Sequence, residues 1–273
     1  PTGSGKSTTL FSALTIINTP DVNITTIEDP IEYRISGVNQ TQTNDKAGMT
    51  FANGLRALLR QDPNIIMVGE IRDSETAGLG IQAALTGHLV FSTLHTNDAA
   101  TCLPRLLDMN VEPFLIASTI RSVIGQRLVR KINVKTRIAY APSNEEQEAI
   151  KKMFDLSPEN FRQIHELEQK AKELGLSEDL PLSTDENSIL TLYKADSNDN
   201  VGDAHNGYQG RTGIYEGLKV SENIQKLIMT NASSTELRDQ AIKDGMIPMQ
   251  VDGLIKILRG ITTVDEVMRV SKE

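Results

Sequence analysis

The first eight residues, PTGSGKST, combine residue types and spacing that point directly to phosphate chemistry. Gly5, Lys6 and Ser7 match the last fixed positions of the P-loop pattern G-x-x-x-x-G-K-[ST]. In such a loop, successive backbone N–H groups face phosphate oxygens, and the positive end of the following helix adds to the attraction. The alternative is a Gly/Ser turn that carries a lysine by chance.

A P-loop reading assigns a separate task to each residue of this segment. Lys6 would reach the β- and γ-phosphates, and the Ser7 hydroxyl would ligate Mg²⁺. Gly3 and Gly5 would leave room for the backbone to approach the phosphates. The first glycine of the pattern would precede Pro1, so we expect this chain to be a fragment of a longer protein that lacks the strand feeding the loop.

A cluster of carboxylates follows the first predicted strand. Residues 22–27 alternate and are rich in β-branched types, so they predict a strand that ends in the run EDPIE at 28–32. Pro30 cannot continue a central strand, which places the carboxylates at its carboxyl end, where ligands bind in doubly wound sheets. Alone, such a cluster is more often a solvated turn. Beside a P-loop, it predicts groups that orient metal-bound water or accept its proton.

A second predicted strand also ends in an acidic residue. The run Ile65–Val68 is continuously apolar, as expected of a strand buried on both faces. Gly69 stands where many P-loop ATPases carry Asp, so Glu70 is the candidate for the Walker B carboxylate. The alternative is that Glu70 lies at a helix N-terminus and pairs with Arg72.

Two histidines bracket the third predicted strand, at residues 89–93. His88 and His95 are separated by seven strand steps, roughly 23 Å, which is too far for them to share a metal unless the chain folds back. His95 follows the strand end, where it could sense a γ-phosphate or hydrogen-bond a catalytic glutamate. The alternative is a structural histidine, which we expect for His88.

Residues 50–60 predict a helix with one apolar face, capped by Thr50 and ended before Pro63. Arg56 and Arg60 lie four residues apart on the same side, so these like charges repel weakly. An anion opposite them would explain the arrangement, either a carboxylate of this chain or a phosphate bound to a neighbouring subunit. A solvated basic face is the alternative for each arginine.

The order of these elements predicts an α/β fold. Strands that alternate with helices, including helices at 73–85 and 99–108, predict a mostly parallel sheet with helices on both faces. Further along, 149–172 is expected to be helical, 188–218 rich in strands, and 221–270 helical, with Ser234 and Thr263 as caps. No apolar run is long enough to span a membrane.

The net charge of −8 lies entirely in residues 136–206, which hold 7 basic and 15 acidic side chains. Both flanking segments, 1–135 and 207–273, are balanced. We therefore expect three parts: an N-terminally truncated ATPase core (1–135), an acidic insert and a C-terminal subdomain with a β-hairpin and helices. A nucleic-acid-binding surface is disfavoured because it needs a basic patch, and aromatic residues are only 4%.

Several longer runs together resemble the secretion and type IV pilus motor ATPases. They match the aspartate box, Walker B and histidine box of that family in its order, beside the Walker A loop: TIEDPIEY (26–33), FANGLRALLRQDPNIIMVGEIRDSETA (51–77), LTGHLVFSTLHTNDA (85–99) and GQRLVRK (125–131). GYQGRTGIYEGL (207–218) and DGMIPMQVDGLIKILRGITTVDEVMRV (244–270) are similar to assembly and secretion members, such as type II secretion protein E and the pilus assembly ATPase, more than to retraction members.

The resemblance implies a role for each candidate site residue. The phosphates would be bound by Thr2, Gly3, Ser4, Gly5, Lys6, Ser7 and Thr8. Glu32 would be the leading general base, beside Glu28 and Asp29. Glu70 would act near Mg²⁺, directly or through water, with Ser7 as the other metal ligand and His95 in the histidine box. The candidates for γ-phosphate or inter-subunit contacts are Arg56, Arg60 and Arg72.

The family also implies a fold, a cofactor and partners. We expect a RecA-like P-loop NTPase that forms a homo-oligomer, a hexamer in the family, and uses ATP and Mg²⁺. It would power pilus assembly or type II secretion at the cytoplasmic face of the inner membrane, through a membrane platform protein and without nucleic acid. The alternatives are a retraction motor, a nucleotide-binding scaffold that does not hydrolyse ATP, and a DNA-pumping ATPase.

The sequence departs from the family at one place. Assembly and secretion members often carry a four-cysteine zinc knuckle, but the corresponding segments here read KINVKT (131–136) and include Asn200 and Asp203. The chain has a single cysteine, Cys102, far from both segments. No tetrahedral thiolate zinc site is therefore expected, and the acidic insert must hold its shape by other means.

Overall fold

A computed structural model of the chain describes residues 3–154, 162, 164–166, 169, 173, 189–200 and 205–271. The chain contains a parallel sheet of four strands: β1 (Ile24–Glu28), β2 (Asn39–Gln42), β3 (Ile65–Val68) and β4 (Leu89–Ser92), in the order β2-β1-β3-β4. The sequence predicted β1, β3 and β4. It did not predict β2, whose four residues are polar.

Helices cover both faces of this sheet, which confirms the predicted fold class. One face carries α1 (Lys6–Ile17). Its Phe11 and Leu14 form an apolar cluster with Ile24 of β1 and with Ile65 and Met67 of β3. The other face carries α2 (Phe51–Leu58) and α3 (Ser74–Leu85), around Ile27, Leu55, Leu58, Ile66, Val68 and Ala83. Successive residues of β3 alternate between the two clusters, as the two-residue period of a strand requires.

The chain divides into two compact units whose residues alternate along the sequence. Unit 1 runs to Gln126 and resumes at Glu216–Met246, and unit 2 consists of Arg127–Tyr215 and Ile247–Glu273. The division points fall inside β5 (Ser122–Ile132) and β8 (Tyr208–Lys219), which form a two-stranded sheet. The three-part division by charge stays a prediction.

Unit 1 has a second apolar cluster beyond the parallel sheet. It is built by the short helices α4 (Cys102–Asp108) and α5 (Pro113–Thr119) with α7 (Glu222–Met229) and α8 (Ser234–Lys243). The cap of α8 is Ser233, one residue before the predicted Ser234, because Glu236 completes a capping box with Ser233.

In its described residues, unit 2 combines a small antiparallel sheet with helices. Strands β6 (Ile138–Tyr140) and β7 (Leu192–Lys194) pair, and α6 (Asn144–Met153), α9 (Met249–Leu258) and α10 (Val264–Ser271) accompany them. The core includes Val129, Ile150, Ile189, Leu192, Ile214, Leu254 and Val267. The predicted helix at 149–172 begins earlier, at Asn144, and most of its remainder lies outside the described residues.

Hydrogen bonds join the two segments in which family members often carry zinc ligands. Asp199 is buried, and its Oδ2 accepts bonds from Asn133 Nδ2 (2.7 Å) and Thr136 Oγ1 (2.6 Å). Over the part of the chain that the structure covers, no three His, Cys, Asp or Glu side chains group so as to hold a metal ion. These bonds are one means by which the loops of unit 2 keep their shape.

A buried carboxylate stabilises the end of unit 2. Glu266 is 2% exposed and accepts bonds from Arg130 Nη2 (2.7 Å), Arg130 N (2.9 Å) and Arg269 Nη2 (2.9 Å). Burial alone would raise the pKa of Glu266, but the hydrogen bonds from the two arginines outweigh it and lower the pKa to about 2.

We predict that Glu266→Gln lowers the free energy of unfolding by about 2 kcal/mol at pH 7, since the arginines lose a charged partner. Because the folded-state pKa is depressed, the stabilisation is present above the ordinary pKa of 4.5 and is lost as the pH falls towards 2. Urea unfolding at pH 7 and pH 3 measures both effects. The neighbouring exposed Asp265→Asn is the control. Equal stability of Glu266→Gln and the parent at pH 7 would contradict the prediction.

Candidate functional site

Three strand ends meet at one edge of the parallel sheet. Ile27 of β1 pairs with Val68 of β3, and Val68 pairs with Ser92 of β4, so the three carboxyl ends are level. Glu28 ends β1, while Glu70 and His95 follow β3 and β4 within three residues. Ligands of parallel α/β sheets bind at this edge, so the topology gathers the acidic and histidine candidates where the sequence predicted them.

Glu70 lies at the centre of this edge. Its carboxylate contacts the Arg72 guanidinium at 2.5 Å and the imidazole of His95, and its side chain is only 13% exposed. Burial alone would raise the pKa of Glu70, but the hydrogen bond from Arg72 and the charges of His95 and Arg72 outweigh it and lower the pKa. Glu70 is therefore held as a carboxylate.

Hydrogen bonds to backbone groups fix the chain around Glu70 from both sides. Gly69 N donates to Ile27 O (2.8 Å), Thr93 Oγ1 donates to Gly69 O (2.7 Å), and Ile71 N donates to Thr93 O (3.0 Å). A Cβ at residue 69 would lie 3.2 Å from Ile27 O, tighter than ordinary contact. Glycine at 69 thus permits the close approach of β1 and β3 beneath Glu70.

The start of α3 is capped by Asp73, not by Glu70. Asp73 Oδ1 accepts a bond from Thr76 N (2.8 Å), and Oδ2 accepts one from Thr76 Oγ1 (3.0 Å). The helix end therefore has its own acidic cap. The predicted alternative for Glu70 combined a position at a helix N-terminus with a pairing to Arg72. The structure shows the pairing with Arg72, together with a contact to His95, but Asp73 takes the place at the helix N-terminus.

The carboxylates after β1 differ in their surroundings. Glu28 is 2% exposed and accepts bonds from Thr26 Oγ1 (2.6 Å) and Gln40 Nε2 (2.9 Å), so its carboxylate is engaged inside the sheet. Asp29 and Glu32 are exposed. The sequence pattern predicted these three carboxylates as one cluster. A signal that separates them is the two-residue strand period, which puts Thr26 and Glu28 on the same face.

The predicted phosphate loop precedes α1 in a conformation that needs glycine. Gly3 and Gly5 have φ of 77° and 85°, in the left-handed region. Ser4 is buried, and its Oγ has no hydrogen-bond partner among the residues that the structure describes. Lys6 begins α1, and Ser7 and Thr8 are exposed in its first turn. Thr2 lies outside the described residues.

Two contacts fix the direction of α1. At its end, Asn18 Nδ2 donates to Ser36 O (2.8 Å), just before β2 begins. Nearer its start, the Phe11 ring meets the Tyr33 ring edge-to-face at 5.6 Å, beyond the end of β1. The helix thus runs antiparallel to the strands, and its N-terminus points to the carboxyl edge of the sheet.

The other candidates lie apart from the cluster of Glu70, Arg72 and His95. Arg56 pairs with Glu75 of α3, so the anion opposite it is a carboxylate of this chain. Arg60 is exposed beyond the end of α2. His88 Nδ1 lies 2.9 Å from Ala83 O at the end of α3, which fits the structural role expected for it.

A cavity of about 300 Å³ adjoins the central carboxylate, lined by Glu70, Ile71, Arg72, Leu94, His95, Arg105 and Met109. Arg105 of α4 was not among the sequence candidates. Its position on the helix that follows the histidine loop is the signal that could have suggested it.

A family model described as Type II/IV secretion system protein matches residues 1–269. The chain belongs to this family. The type II secretion system protein E of Xanthomonas campestris pv. campestris is 45% identical over 273 residues, which is 100% of this chain and 42% of the relative. The type IV pilus assembly ATPase PilB of Thermus thermophilus is 47% identical over 268 residues, 98% of this chain and 26% of the relative. The chain thus spans less than half the length of these two relatives.

A solved structure of similar fold is that of the pilus retraction motor PilT with bound ADP. It aligns over all of this chain and 60% of its own, with a TM-score of 0.65 and 28% identity. This likeness and the family match confirm both the resemblance and the P-loop ATPase fold class drawn from the sequence. Within the described residues, every helix is too short or too polar to cross a bilayer.

We predict that Arg72→Ala raises the pKa of Glu70 towards its ordinary value, because the carboxylate loses its largest favourable partner. Carbon NMR of labelled glutamate carboxyls across a pH titration measures this shift. Arg56→Ala, which breaks the pair with Glu75 instead, should leave the Glu70 titration unchanged. An unchanged Glu70 pKa in Arg72→Ala would show that the ion pair is not formed in solution.

Proposed function

We propose that this chain is the ATPase part of a motor that powers type IV pilus assembly or type II secretion. The observation that carries the proposal is the meeting of Glu70, Arg72 and His95 at the sheet edge towards which α1 points its N-terminus. The names of the relatives at 45% and 47% identity, a type II secretion protein and a type IV pilus assembly ATPase, indicate the processes that such a motor would power. Activity, cargo and partners belong to the whole protein and are part of the proposal.

The residues present fit a nucleotide phosphate group. The left-handed glycines and the buried Ser4 hydroxyl, for which the described residues provide no partner, form a polar cradle at a helix N-terminus. We assign the phosphates to residues 2–8 and the metal to Ser7 and Glu70, the latter directly or through water. Mg²⁺, when bound, supplies positive charge that offsets the charge of the transferring phosphoryl group.

The side chains divide the hydrolytic work among them. Lys6 binds phosphate oxygens, and Glu70, kept ionised beside Arg72, orients the attacking water. His95 holds one oxygen of the Glu70 carboxylate and so fixes its direction. Glu32 is exposed past the same sheet edge and takes the proton of the water, while buried Glu28 stiffens the strand beneath it.

The proposed assembly is a homohexamer that acts from the cytoplasmic face of the inner membrane on a platform protein. Arg60 is an exposed cation available to a neighbouring subunit or a γ-phosphate, and Arg72, exposed but paired with Glu70, is the second candidate for these contacts. Assembly or secretion is favoured over retraction because the two relatives named for those tasks share 45% and 47% identity, against 28% for PilT.

We predict that Glu70→Gln lowers phosphate release at saturating ATP by at least about a hundredfold while nucleotide binding persists, because the amide cannot hold the water as a carboxylate does. Steady-state phosphate release and ATP-analogue binding by calorimetry measure the two properties. Glu75→Gln, an exposed glutamate of the following helix, is the control and should retain turnover. Unchanged hydrolysis in Glu70→Gln would favour another catalytic centre. Binding without turnover in the parent protein would favour the scaffold alternative.

We predict that Glu32→Gln also lowers kcat by about a hundredfold, with little change in KM for ATP, because it removes a proton acceptor and no phosphate contact. Asp21→Asn, an exposed residue at the opposite end of β1, is the matched control. A larger loss in Glu28→Gln than in Glu32→Gln would transfer the role of base to Glu28.

A further inference from the structure

A buried carboxylate outside the Glu70 cluster supports the loop that carries His95. Glu216 of β8 is 5% exposed, and its Oε1 accepts a hydrogen bond of 2.7 Å from the backbone N of Ala99. Ala99 is only four residues after His95. Burying a carboxylate is costly unless its oxygens accept hydrogen bonds, so the bond from Ala99 N helps to stabilise the buried Glu216 carboxylate in unit 1.

The loop held by Glu216 is itself ordered by local bonds. Asp98 Oδ1 accepts bonds from Thr101 N and Thr101 Oγ1, both at 2.7 Å, and Thr96 Oγ1 donates to Asp98 O at 3.0 Å. Because these bonds tie Thr96 and Thr101 to Asp98, the residue before Ala99, anchoring Ala99 also anchors the residues that follow His95. A carboxylate from a distant part of the sequence thus anchors the segment that follows His95.

Glycine at position 125 makes room for this carboxylate. A Cβ built there would lie 2.7 Å from Glu216 Cγ and 2.8 Å from its Oε1, closer than real Cβ atoms come to other atoms. The next residue of β5, Gln126, accepts a hydrogen bond of 2.7 Å from Thr9 Oγ1 in the first turns of α1. Two consecutive residues of β5 therefore have separate tasks. Gly125 leaves room for Glu216, and Gln126 contacts α1 through Thr9.

We propose that Glu216 is a positioning residue that holds the His95 loop against Glu70, and that Gly125 is glycine to admit its carboxylate. The bond from the backbone N of Ala99 is the route by which Glu216 acts on the His95 loop, and Gly125 acts through the space it leaves for Glu216. The consequence for turnover rests on the ATPase function proposed above. The consequence for the order of the loop does not.

The first test compares two replacements of the carboxylate in the purified protein. Glu216→Ala removes the acceptor of the Ala99 N–H and should lower kcat at least about tenfold, with KM for ATP within about twofold, because residues 2–8, assigned to the phosphates, are not substituted. Glu216→Gln keeps an oxygen that can accept the same bond and should retain kcat within about threefold. Gly217→Ala is the matched control, since a Cβ there meets nothing within 4 Å.

The second test uses the steric relation between the two residues. Gly125→Ala should lower kcat as Glu216→Ala does, because the new methyl displaces the carboxylate. In the double variant the methyl has no carboxylate to displace, so its kcat should be no lower than that of Glu216→Ala alone. Additive losses would show that Gly125 acts independently and would overturn its assigned role. If Glu216→Ala does not fold, Gly125→Ala and Glu216→Gln carry the comparison.

Hydrogen exchange of residues 94–101 gives a readout that does not need turnover. Exchange should rise in Glu216→Ala and Gly125→Ala and stay at the parental level in Glu216→Gln and Gly217→Ala. Unchanged exchange in Glu216→Ala, or equal exchange in the alanine and glutamine variants, overturns the proposal. If the exchange pattern holds while the parent protein hydrolyses no ATP, the positioning role stands and the proposed ATPase function fails.

Discussion

The level register of three parallel strands is the constraint on which the candidate site depends. Ile27, Val68 and Ser92 are partners across β1, β3 and β4, so the loops that follow leave the sheet at one edge. A shift of β3 by one residue would carry Glu70 to the opposite face, since side chains alternate with a period of two. The apolar β3, buried on both faces, fixes that register by packing against α1 on one side and α2 and α3 on the other.

Electrostatics then sets the state of the group that this edge presents. Glu70 is largely buried, which disfavours its charge, yet a guanidinium and an imidazole contact its two oxygens. The arrangement holds an ionised carboxylate in one direction, a requirement for any group that must orient water. The hydrogen bonds of Gly69 and Thr93 keep the chain on either side in place, and Glu216 extends the same support to the loop after His95.

Local patterns predicted much of the fold, because apolar and β-branched runs report burial directly. The strands at 65–68 and 89–93 and the Thr50 cap are examples. The polar strand β2 escaped prediction because its place depends on partners distant in sequence, such as Gln40 donating to Glu28. The helix predicted from Ala99 begins at Cys102, because Asp98 and Glu216 hold the preceding residues as a loop. Candidate site residues followed from motifs, but the burial of Glu28 and the pairing of Arg56 with Glu75 needed coordinates.

The most direct measurement of the central claim is an experimental structure of the protein with a non-hydrolysable ATP analogue and Mg²⁺. We expect the phosphates against residues 3–8 at the start of α1, the metal beside the Ser7 hydroxyl, and the Glu70 carboxylate facing the terminal phosphate within the reach of one water. A nucleotide bound elsewhere, or a Glu70 directed away from the terminal phosphate with no shared cleft between them, would contradict the site and the motor function built on it.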